Sequence, residues 1–374
     1  MPSHVTPIES LVEALRSAHP ELEAIRAAAS DPVYLVGGAV RDQLLGHGRA
    51  DIDLVVVGDA GALVRSLGVT ALAEHERFAT AKVELGGHEI DIASARTETY
   101  PLPGALPEVA PATDIEADLA RRDFTINAMA IPLAGEPRLI DPCDGRSDLE
   151  RGLLRVLHAG SFSDDPTRAI RAARYASRFG FKLEPETEEL LRAAVLDTVS
   201  ADRRRAELAR LAAERAAPHG FQLLAEWGLL EPREGGIELA HAVSELFGHR
   251  AWSDLAGSRA DAILAAALGS PGGESELVAA DPERPSQAVA LARGRDPVEL
   301  ALARALGAEW LDSYLGEWRK VRLQIDGGDL IAAGVPQGPA LGRGLDAALR
   351  GVLDGEIHGR EEELAAALAA ARRD

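Results

Sequence analysis

Cysteine, lysine and aromatic residues are all scarce in this sequence of 374 residues. Cys143 is the only cysteine, which excludes an intrachain disulfide and fits a reducing compartment. Aromatic residues account for 4% of the chain, and only three of its 40 basic residues are lysines. The positive charge is therefore carried almost entirely by arginine, whose planar guanidinium suits phosphate groups and base edges.

Long apolar segments are missing as well. No apolar run approaches the roughly 20 residues that a membrane-spanning helix needs, so we expect no membrane association. The N-terminal segment does not combine a basic start with an apolar stretch, so a secretory signal is not expected either. A cytoplasmic location follows by elimination.

The pattern along the chain predicts an α+β fold with more than one core. The expected elements are a strand beginning at VYLV, a helix over 39–46, a strand over 51–58, a helix over 60–67, and a hairpin of strands 81–85 and 88–94 joined by Gly86-Gly87. Residues 97–114 hold four prolines and no period, and are expected to form a loop. The chain then becomes mostly helical, and we predict a head (1–145), a neck (146–216) and a body with a tail (217–374).

The balance of charge disfavours nucleic-acid binding at first sight. Sixty acidic residues outweigh 40 basic ones and give a formal net charge of −20, whereas phosphate recognition needs positive charge. Binding depends on the local field, however, and a basic groove can exist on an acidic protein. For a nucleic-acid partner we expect an arginine-lined groove along neck and body, with the candidates Arg203, Arg204, Arg205 and Arg210.

Asp51 and Asp53 form the sharpest local pattern. Residues i and i+2 of a strand point to the same side, so the two carboxylates repel each other unless a cation lies between them. Mg²⁺ prefers such oxygen ligands and leaves room for substrate phosphates. Two such ions can activate a 3′-hydroxyl and stabilise a leaving pyrophosphate. The alternative is a solvated acidic pair at a strand end.

Two further features lie near this pair. Gly37 and Gly38 fall between the predicted strand and helix, where backbone N–H groups can approach phosphate. Arg41 follows one turn into the helix and could reach a triphosphate; the alternative is a tight turn with a surface arginine. Asp91, in the strand-like run HEIDIAS, is either a third catalytic carboxylate or a paired structural residue.

Five longer segments are more specific than these local patterns. They are LVGGAVRDQLLG…ADIDLVV, RRDFTINAMA (121–130), DPCDGRSDLERGLLRVL (141–157), SDDPTRAIRAARYASRFGF (163–181) and VSADRRRAEL (199–208). In this order they resemble the class II tRNA nucleotidyltransferase and poly(A) polymerase family of the DNA polymerase beta-like superfamily. A weaker match covers 325–355, and residues 217–320 hold no segment that we can place.

The resemblance implies a nucleotidyltransferase head with a small sheet, a nucleotide-selecting neck, and a tRNA-binding body and tail. It implies two Mg²⁺ ions at Asp51 and Asp53. It also implies that Arg121, Arg122 and Asp123 contact the ribose and phosphates of the nucleotide. Arginine forks suit phosphate, and a carboxylate can accept from a ribose hydroxyl. A charge cluster on a helix surface is the alternative, and Asn127, one turn later, either contacts the same nucleotide or packs.

Asp165 and Arg168 lie three residues apart near a predicted helix start and therefore share a face. Cytosine and adenine both present an amino donor beside a ring-nitrogen acceptor, which a carboxylate and a guanidinium match. Uracil and guanine present a carbonyl there, at a cost of roughly 1–3 kcal/mol per unpaired contact. The alternative is an ordinary salt bridge, whereas the resemblance implies that the pair selects CTP and ATP.

The surroundings of this pair differ slightly from the family's pattern. The family usually has Glu before the template Asp, and Asp164 stands there instead, which leaves its bracing role open. Arg171 and Arg174 extend the same face and are candidates for binding phosphates or for a helix–helix contact.

Our first functional hypothesis is an enzyme that adds C, C and A to the 3′ end of tRNA from CTP and ATP. An A-only enzyme or a poly(A) polymerase shares the same active-site motifs and stays open. In related enzymes a flexible segment at 97–117 helps the switch from CTP to ATP, and its full length here disfavours a CC-only enzyme; Arg96 and Glu98 are its candidate anchors. A non-catalytic RNA-binding protein and a small-molecule nucleotidyltransferase are less favoured, and no protein partner is predictable.

Overall fold

The structure, a computed structural model, describes residues 8–46, 52–75, 80–269 and 272–372. Contacts divide it into a first unit, which holds the described residues up to 211 together with 223–230, and a second unit, which holds 212–222 and the residues from 231 onward. The predicted head and nearly all of the predicted neck lie in the first unit. The finer division at residue 145 stays a prediction.

A six-stranded mixed sheet forms the centre of the first unit. With strands numbered in chain order, it contains β1 (Val33–Val36), β2 (Ile52–Val56), β3 (Ala71–His75), β4 (Thr80–Leu85), β5 (His88–Ser94) and β8 (Ala130–Pro132). The spatial order is β3-β4-β5-β2-β1-β8; β2 and β5 run parallel and the other neighbours run antiparallel. The sheet confirms the predicted α+β fold, although β3 was not predicted.

The first helices of this unit alternate with the strands of the sheet, and the later ones follow its last strand in the chain. They are α1 (Ile8–Ala18), α2 (Glu21–Ala28), α3 (Gly38–Leu44), α4 (Ala60–Leu67), α5 (Ile115–Ala120), α6 (Gly145–Arg151), α7 (Ser161–Asp164), α8 (Thr167–Phe179), α9 (Pro185–Arg192) and α10 (Ala201–Ala213). Two short parallel strands, β9 (Leu153–Leu154) and β10 (Lys182–Leu183), hold the start of α9 beside α6 and α8.

The apolar pattern explains how α5 attaches to the sheet. Ile115 and Leu119, four residues apart, face the same side of α5 and are buried against Val36, Val55 and Ala130 of the sheet. Asp114 caps the helix by accepting a hydrogen bond from the Ala117 N–H. The residues that follow α5 are thereby fixed beside β1 and β2.

The segment predicted as a loop contains a short hairpin. β6 (Arg96–Thr99) pairs antiparallel with β7 (Glu108–Pro111). The loop prediction for 97–114 is therefore wrong at both ends. Three of its four prolines lie in the connection between the strands, and the fourth, Pro111, occupies the last position of β7 opposite Arg96, where a proline is tolerated at a strand end.

The second unit is helical throughout its described residues. It holds α12 (Gly236–Leu246), α13 (Arg259–Leu268), α14 (Glu274–Ala279), α15 (Pro285–Ala292), α16 (Pro297–Ala305), α17 (Trp310–Gly316), α18 (Gly327–Ala332), α19 (Pro339–Leu353) and α20 (Gly359–Ala371). The chain changes units near the end of α10, within α11 (Ala217–Glu226) and after residue 230. Short 3₁₀ helices lie at Thr125–Asn127, Leu196–Thr198, Arg250–Ser258 and Trp318–Lys320. Across the described ranges, every helix is too short or too polar to span a membrane.

Candidate active site

A cavity of about 710 Å³ in the first unit brings together most of the predicted site residues. Its described lining holds eight arginines and five carboxylates, so it has an excess of positive charge although the chain is acidic. The predicted residues that line it are Gly37, Gly38, Arg41, Asp53, Arg121, Arg122, Asp123, Asn127, Asp165, Arg168, Arg171 and Arg174.

The predicted metal pair is described only in part. Asp51 lies outside the described residues, and Asp53 lies in β2 and lines the cavity. A carboxylate that faces a cavity rich in arginine provides the oxygen ligands that Mg²⁺ prefers. A magnesium site here would draw its ligands from Asp53, Asp51 and the phosphates of a substrate, and it stays a prediction.

Asp91 lies beside Asp53 on the neighbouring strand but is not part of the cavity lining. The two residues are partners in the parallel register of β2 and β5. The Asp91 carboxylate pairs with Lys82, at 3.5 Å between Oδ2 and Nζ, and is half exposed. This contact fits the paired structural alternative, and a catalytic role for Asp91 stays a prediction.

The turn between β1 and α3 requires glycine at Gly37. Its φ is +64°, in the left-handed region, and a Cβ at this position would lie 2.8 Å from the Arg122 Nη1. The turn thus lets backbone and guanidinium approach closely at the cavity wall, next to Asp53.

Arg41 is buried under aromatic rings instead of extending freely toward solvent. Its guanidinium carbon lies 5.3 Å from the ring centre of Tyr175 and 4.8 Å from that of Phe179. Its Nε donates to Asp42, with 2.7 Å between Nε and Oδ1, and its Nη1 donates to the side-chain oxygen of Asn127. The alternative of a surface arginine is therefore wrong, while contact of Arg41 with a triphosphate stays a prediction.

Asp123 is a buried anion held by several donors. Its Oδ2 accepts from Arg171, at 2.8 Å from Nε, and its Oδ1 accepts from the Asn127 amide at 2.9 Å and the Phe124 N–H at 2.8 Å. Burial acts to raise the pKa of Asp123, but Arg171 and these hydrogen bonds outweigh it and lower the pKa to about 2. Asn127 connects this carboxylate to Arg41, so it has a packing role whether or not it contacts a nucleotide.

A second buried carboxylate, Asp118, fixes the two arginines of the RRDFT segment. Its Oδ1 lies 2.7 Å from Arg121 Nη2 and its Oδ2 lies 3.1 Å from Arg122 Nη2. Burial opposes the charge on Asp118, yet Arg122 and Arg121 keep its pKa below the usual value. We missed Asp118 in the sequence, although its spacing of three and four residues to the two arginines is the signal for such contacts.

Asp165 and Arg168 do not pair with each other. The Asp165 Oδ1 accepts three hydrogen bonds, from the Thr167 N–H at 3.1 Å, the Thr167 hydroxyl at 2.6 Å and Arg203 Nη2 at 2.9 Å. Among the described residues no donor reaches Oδ2. Arg168 Nη2 donates to the Arg121 carbonyl at 2.9 Å, while the buried Nη1 has no hydrogen-bond partner in the described part of the chain. An acceptor and a donor with unused capacity thus line the same cavity.

The ring of Tyr100 lies next to the guanidinium of Arg168 and supports it. The Arg168 guanidinium lies 6.0 Å from the Tyr100 ring centre, and the Tyr100 hydroxyl donates to Glu98 at 3.0 Å. Glu98 also accepts from Arg121 Nη1 at 2.9 Å and Arg96 Nε at 3.0 Å. Burial and Glu98 raise the pKa of Tyr100 to about 12, so the phenol remains a donor at neutral pH. Arg96 and Glu98 therefore anchor the hairpin to the cavity wall.

The far wall of the cavity belongs to α8. Arg171 and Arg174 both donate to the Tyr175 hydroxyl, at 3.3 and 3.2 Å. Arg178 lies one turn further along and pairs with Asp42, with 3.2 Å between Nη2 and Oδ2. We missed Asp42, Tyr100, Tyr175 and Arg178 in the sequence; the spacing of Tyr175 and Arg178 from Arg171 puts them on the same helix face and could have revealed them.

The arginines proposed for a tRNA groove are largely engaged with the protein itself. Arg203 bridges Asp165 and the Gly104 carbonyl, Arg204 pairs with Asp197 at 2.8 Å, and Arg210 pairs with Glu207. Arg203 thus supports the cavity through Asp165 without lining it, and a groove along neck and body stays a prediction.

Comparisons with known proteins agree with this geometry. The family model described as Poly A polymerase head domain matches residues 33–155, and the model described as a probable RNA and SrmB-binding site of polymerase A matches residues 180–233. The CC-adding tRNA nucleotidyltransferase of Deinococcus radiodurans is 35% identical over 90% of this chain and 89% of its own length.

Two other matches differ in what they cover. The A-adding tRNA nucleotidyltransferase of Halalkalibacterium halodurans is 48% identical, but over only 42% of this chain and 38% of its own length. The solved structure of the Thermotoga maritima CCA-adding enzyme complexed with tRNA is similar over 97% of this chain and 98% of that one, with a TM-score of 0.71 and 28% identity.

Proposed function

The chain belongs to the class II tRNA nucleotidyltransferase and poly(A) polymerase family, and from that premise we propose that it extends the 3′ end of tRNA with C, C and A. The 3′-hydroxyl of the tRNA attacks the α-phosphorus of CTP or ATP, a new phosphodiester bond forms, and pyrophosphate leaves. A cytoplasmic location is part of the same proposal.

Asp165 and Arg168 together determine which nucleotide is chosen. The Oδ2 of Asp165 accepts from the amino group of cytosine or adenine, and the Nη1 of Arg168 donates to the adjacent ring nitrogen. Thr167 and Arg203 saturate the other carboxylate oxygen, which fixes the direction in which Oδ2 points. Protein side chains thereby take the place of a nucleic-acid template.

The remaining residues bind and orient the triphosphate and sugar. Arg121 and Arg122, held by Asp118, and Arg171 and Arg174, on α8, provide guanidiniums for phosphate oxygens. Two Mg²⁺ ions bound by Asp51 and Asp53 would supply activation of the hydroxyl and stabilisation of the pyrophosphate. The proposal assigns nucleotide contact to Asp123 as well, through the fixed carboxylate between Arg171 and Asn127.

Two narrower activities each have an observation in their favour. One relative that aligns over most of this chain is named as CC-adding, whereas relatives with 32% identity over 89% of this chain and 48% identity over 42% of it are named as A-adding. Complete CCA addition is our proposal because the cavity suits both bases and the hairpin beside it is anchored through Glu98 and Tyr100.

A substrate test separates these activities. The protein is incubated with tRNAs that end before CCA, after the first C, or after CC, with each of the four nucleotides alone and with CTP and ATP together. We expect C on the first two, A on the third, and complete CCA with the mixture. Addition that stops at CC, A added only after CC, or long A tails would each replace complete CCA addition by the corresponding narrower activity.

A further inference from the structure

A second cavity, whose described lining belongs to the second unit, has features of a nucleotide-binding site. We propose that this cavity takes one unpaired nucleotide of the RNA substrate, with its base against an apolar and aromatic floor and its phosphate at an arginine rim. The volume is about 530 Å³, within the range of roughly 300–1,000 Å³ of small-ligand pockets. The identification of that RNA as tRNA rests on the proposed function.

The floor of the cavity combines aromatic and aliphatic side chains. Tyr314 of α17 is buried, and Trp318 in the 3₁₀ helix that follows is half-buried. Val289 of α15 and Leu353 of α19 close the floor from two other helices. Stacking of a base on an aromatic side chain is sequence-tolerant and contributes substantially to single-strand binding. A chain with so few aromatic residues has placed two of them in one cavity wall.

The rim carries guanidiniums whose charge is poorly neutralised. Arg293 is exposed, and its guanidinium makes no ion pair or hydrogen bond among the described residues. Arg322 Nη1 donates to the carbonyls of Arg319 and Val321, at 2.7 and 2.9 Å, and these neutral acceptors leave its charge in place. Within the part of the chain that the structure describes, Arg319 is the one rim arginine with an acidic partner, Asp254, whose side chain is 59% exposed.

The charge of this rim stands out against the chain as a whole. The described lining contains three arginines and no carboxylate, while the chain has a net charge of −20. The rim therefore attracts anions from one direction although the protein as a whole repels them. Burial raises the pKa of Tyr314, and Arg319 and Arg293 act against that rise, so both rim guanidiniums lie near the tyrosine of the floor.

The combination selects one kind of ligand. A duplex backbone would contact the rim and leave the floor unused, because paired bases are stacked inside the helix. An unpaired nucleotide uses both parts: its phosphate meets arginine, and its base meets Trp318 and Tyr314. An acidic peptide is the competing ligand and is an outcome of the test.

The experiment measures binding, not catalysis, with the full chain. Fluorescently labelled tRNA that already ends in CCA and a short single-stranded RNA are titrated separately at several salt concentrations. Arg293→Glu tests the rim and Trp318→Phe tests the floor while keeping a ring in place. Arg250→Glu is the matched control, because Arg250 is also an exposed arginine of the second unit and does not line the cavity.

We expect Arg293→Glu to weaken binding of both RNAs about tenfold and to reduce the dependence of log Kd on log salt by about one ion. Trp318→Phe should weaken binding about threefold and remove the quenching of tryptophan fluorescence by RNA. Arg250→Glu should change Kd by less than about twofold.

Equal effects of Arg293→Glu and Arg250→Glu, or no effect of either, would overturn the proposal. Displacement of the RNA by a poly-glutamate peptide at equal charge concentration, but not by a second unlabelled RNA, would overturn it in favour of an acidic peptide. If the wild type adds no nucleotide but the expected binding results are obtained, the proposed function is refuted and this binding site is supported independently of it.

Discussion

The first unit and the second unit differ in the interactions that stabilise each of them internally. In the first unit, buried carboxylates such as Asp118 and Asp123 hold arginines at fixed positions around a cavity. In the second unit, helices pack through small residues: a Cβ on Gly344 of α19 would lie 2.7 Å from the Ala367 carbonyl of α20. Charge and hydrogen-bond geometry specify residue identity in the first unit, whereas mainly size is specified in the second.

This difference explains why recognisable segments concentrate in the first unit. A carboxylate that accepts from two guanidiniums depends on its charge and shape, so Asp118, Arg121 and Arg122 act as one set. A small residue at a close helix contact is specified by its volume and not by its charge. Substitutions should therefore alter chemistry in the first unit and packing in the second, and the predictions below test that separation.

The largest effect is expected at Asp53. Asp53→Asn removes a negative charge from the predicted metal site, which contributes several kcal/mol to the transition state, so kcat should fall on the order of 10³-fold. Single-turnover nucleotide addition measures this, and tRNA affinity should stay within about twofold.

Asp91→Asn is the matched control for that variant. Asp91 is the register partner of Asp53 but pairs with Lys82 and does not line the cavity. A loss of kcat as large as that of Asp53→Asn would make Asp91 a third catalytic carboxylate. A change of only a few fold would leave it as a structural residue.

The next effect is on stability, at Asp123. Asp123→Asn breaks a buried pair and leaves Arg171 without its main partner, so unfolding should become easier by about 3 kcal/mol. The pKa of Asp123 is lowered to about 2 in the folded chain, against roughly 3.9 in an unfolded chain. Its contribution is therefore present at neutral pH and is lost as the pH falls from about 4 to about 2.

Denaturant unfolding at a series of pH values measures this contribution. The difference in unfolding free energy between wild type and Asp123→Asn should shrink across that acidic window. A difference that is constant with pH would mean that the ion pair with Arg171 does not stabilise the fold.

A smaller effect is expected in the second unit, at Gly344. Gly344→Ala places a Cβ against the Ala367 carbonyl and should destabilise the packing of α19 and α20 by about 1–3 kcal/mol. Gly342→Ala, two residues earlier in the same helix, meets no atom within 4 Å and should be neutral or slightly stabilising.

Hydrogen exchange of α19 and α20 distinguishes these two variants. Faster exchange in Gly344→Ala, with CTP affinity unchanged, would support the separation between the units. Weaker CTP binding in Gly344→Ala, together with the faster exchange, would show that packing in the second unit controls the cavity in the first.

The smallest effect is expected at Tyr100. Tyr100→Phe keeps the ring beside Arg168 and removes only the hydrogen bond to Glu98. The activation free energy should rise by about 1 kcal/mol, so kcat/KM for CTP and ATP should fall roughly fivefold. Tyr34→Phe, in β1, is the control and should leave the kinetics unchanged. Unaltered kinetics in Tyr100→Phe would mean that Glu98 does not help to position the nucleotide-selecting arginine.

Sequence reasoning recovered the parts of the site whose chemistry is local. Strands β1, β2, β4 and β5, the helix at Ala60–Leu67 and the hairpin around Gly86-Gly87 follow from periodicity and turn residues. The β6–β7 hairpin was missed because its ladder is only four residues long and proline dominates the composition around it.

Contacts between distant segments were beyond the sequence pattern. Arg203 reaching Asp165 and Tyr100 lying beside Arg168 join residues that are 38 and 68 positions apart, and local spacing carries no signal for such pairs. The same holds for Arg41, whose burial under Tyr175 depends on how α8 packs against α3.

Nucleotide selection by Asp165→Asn tests directly whether protein side chains act as the template. Thr167 and Arg203 should hold the amide oxygen and turn the amide NH₂ toward the base, where it meets a carbonyl better than an amino group. The ratio of kcat/KM for UTP to that for CTP, measured on tRNA lacking CCA, should rise at least about tenfold over wild type. An unchanged ratio, with both nucleotides slowed alike, would contradict the account.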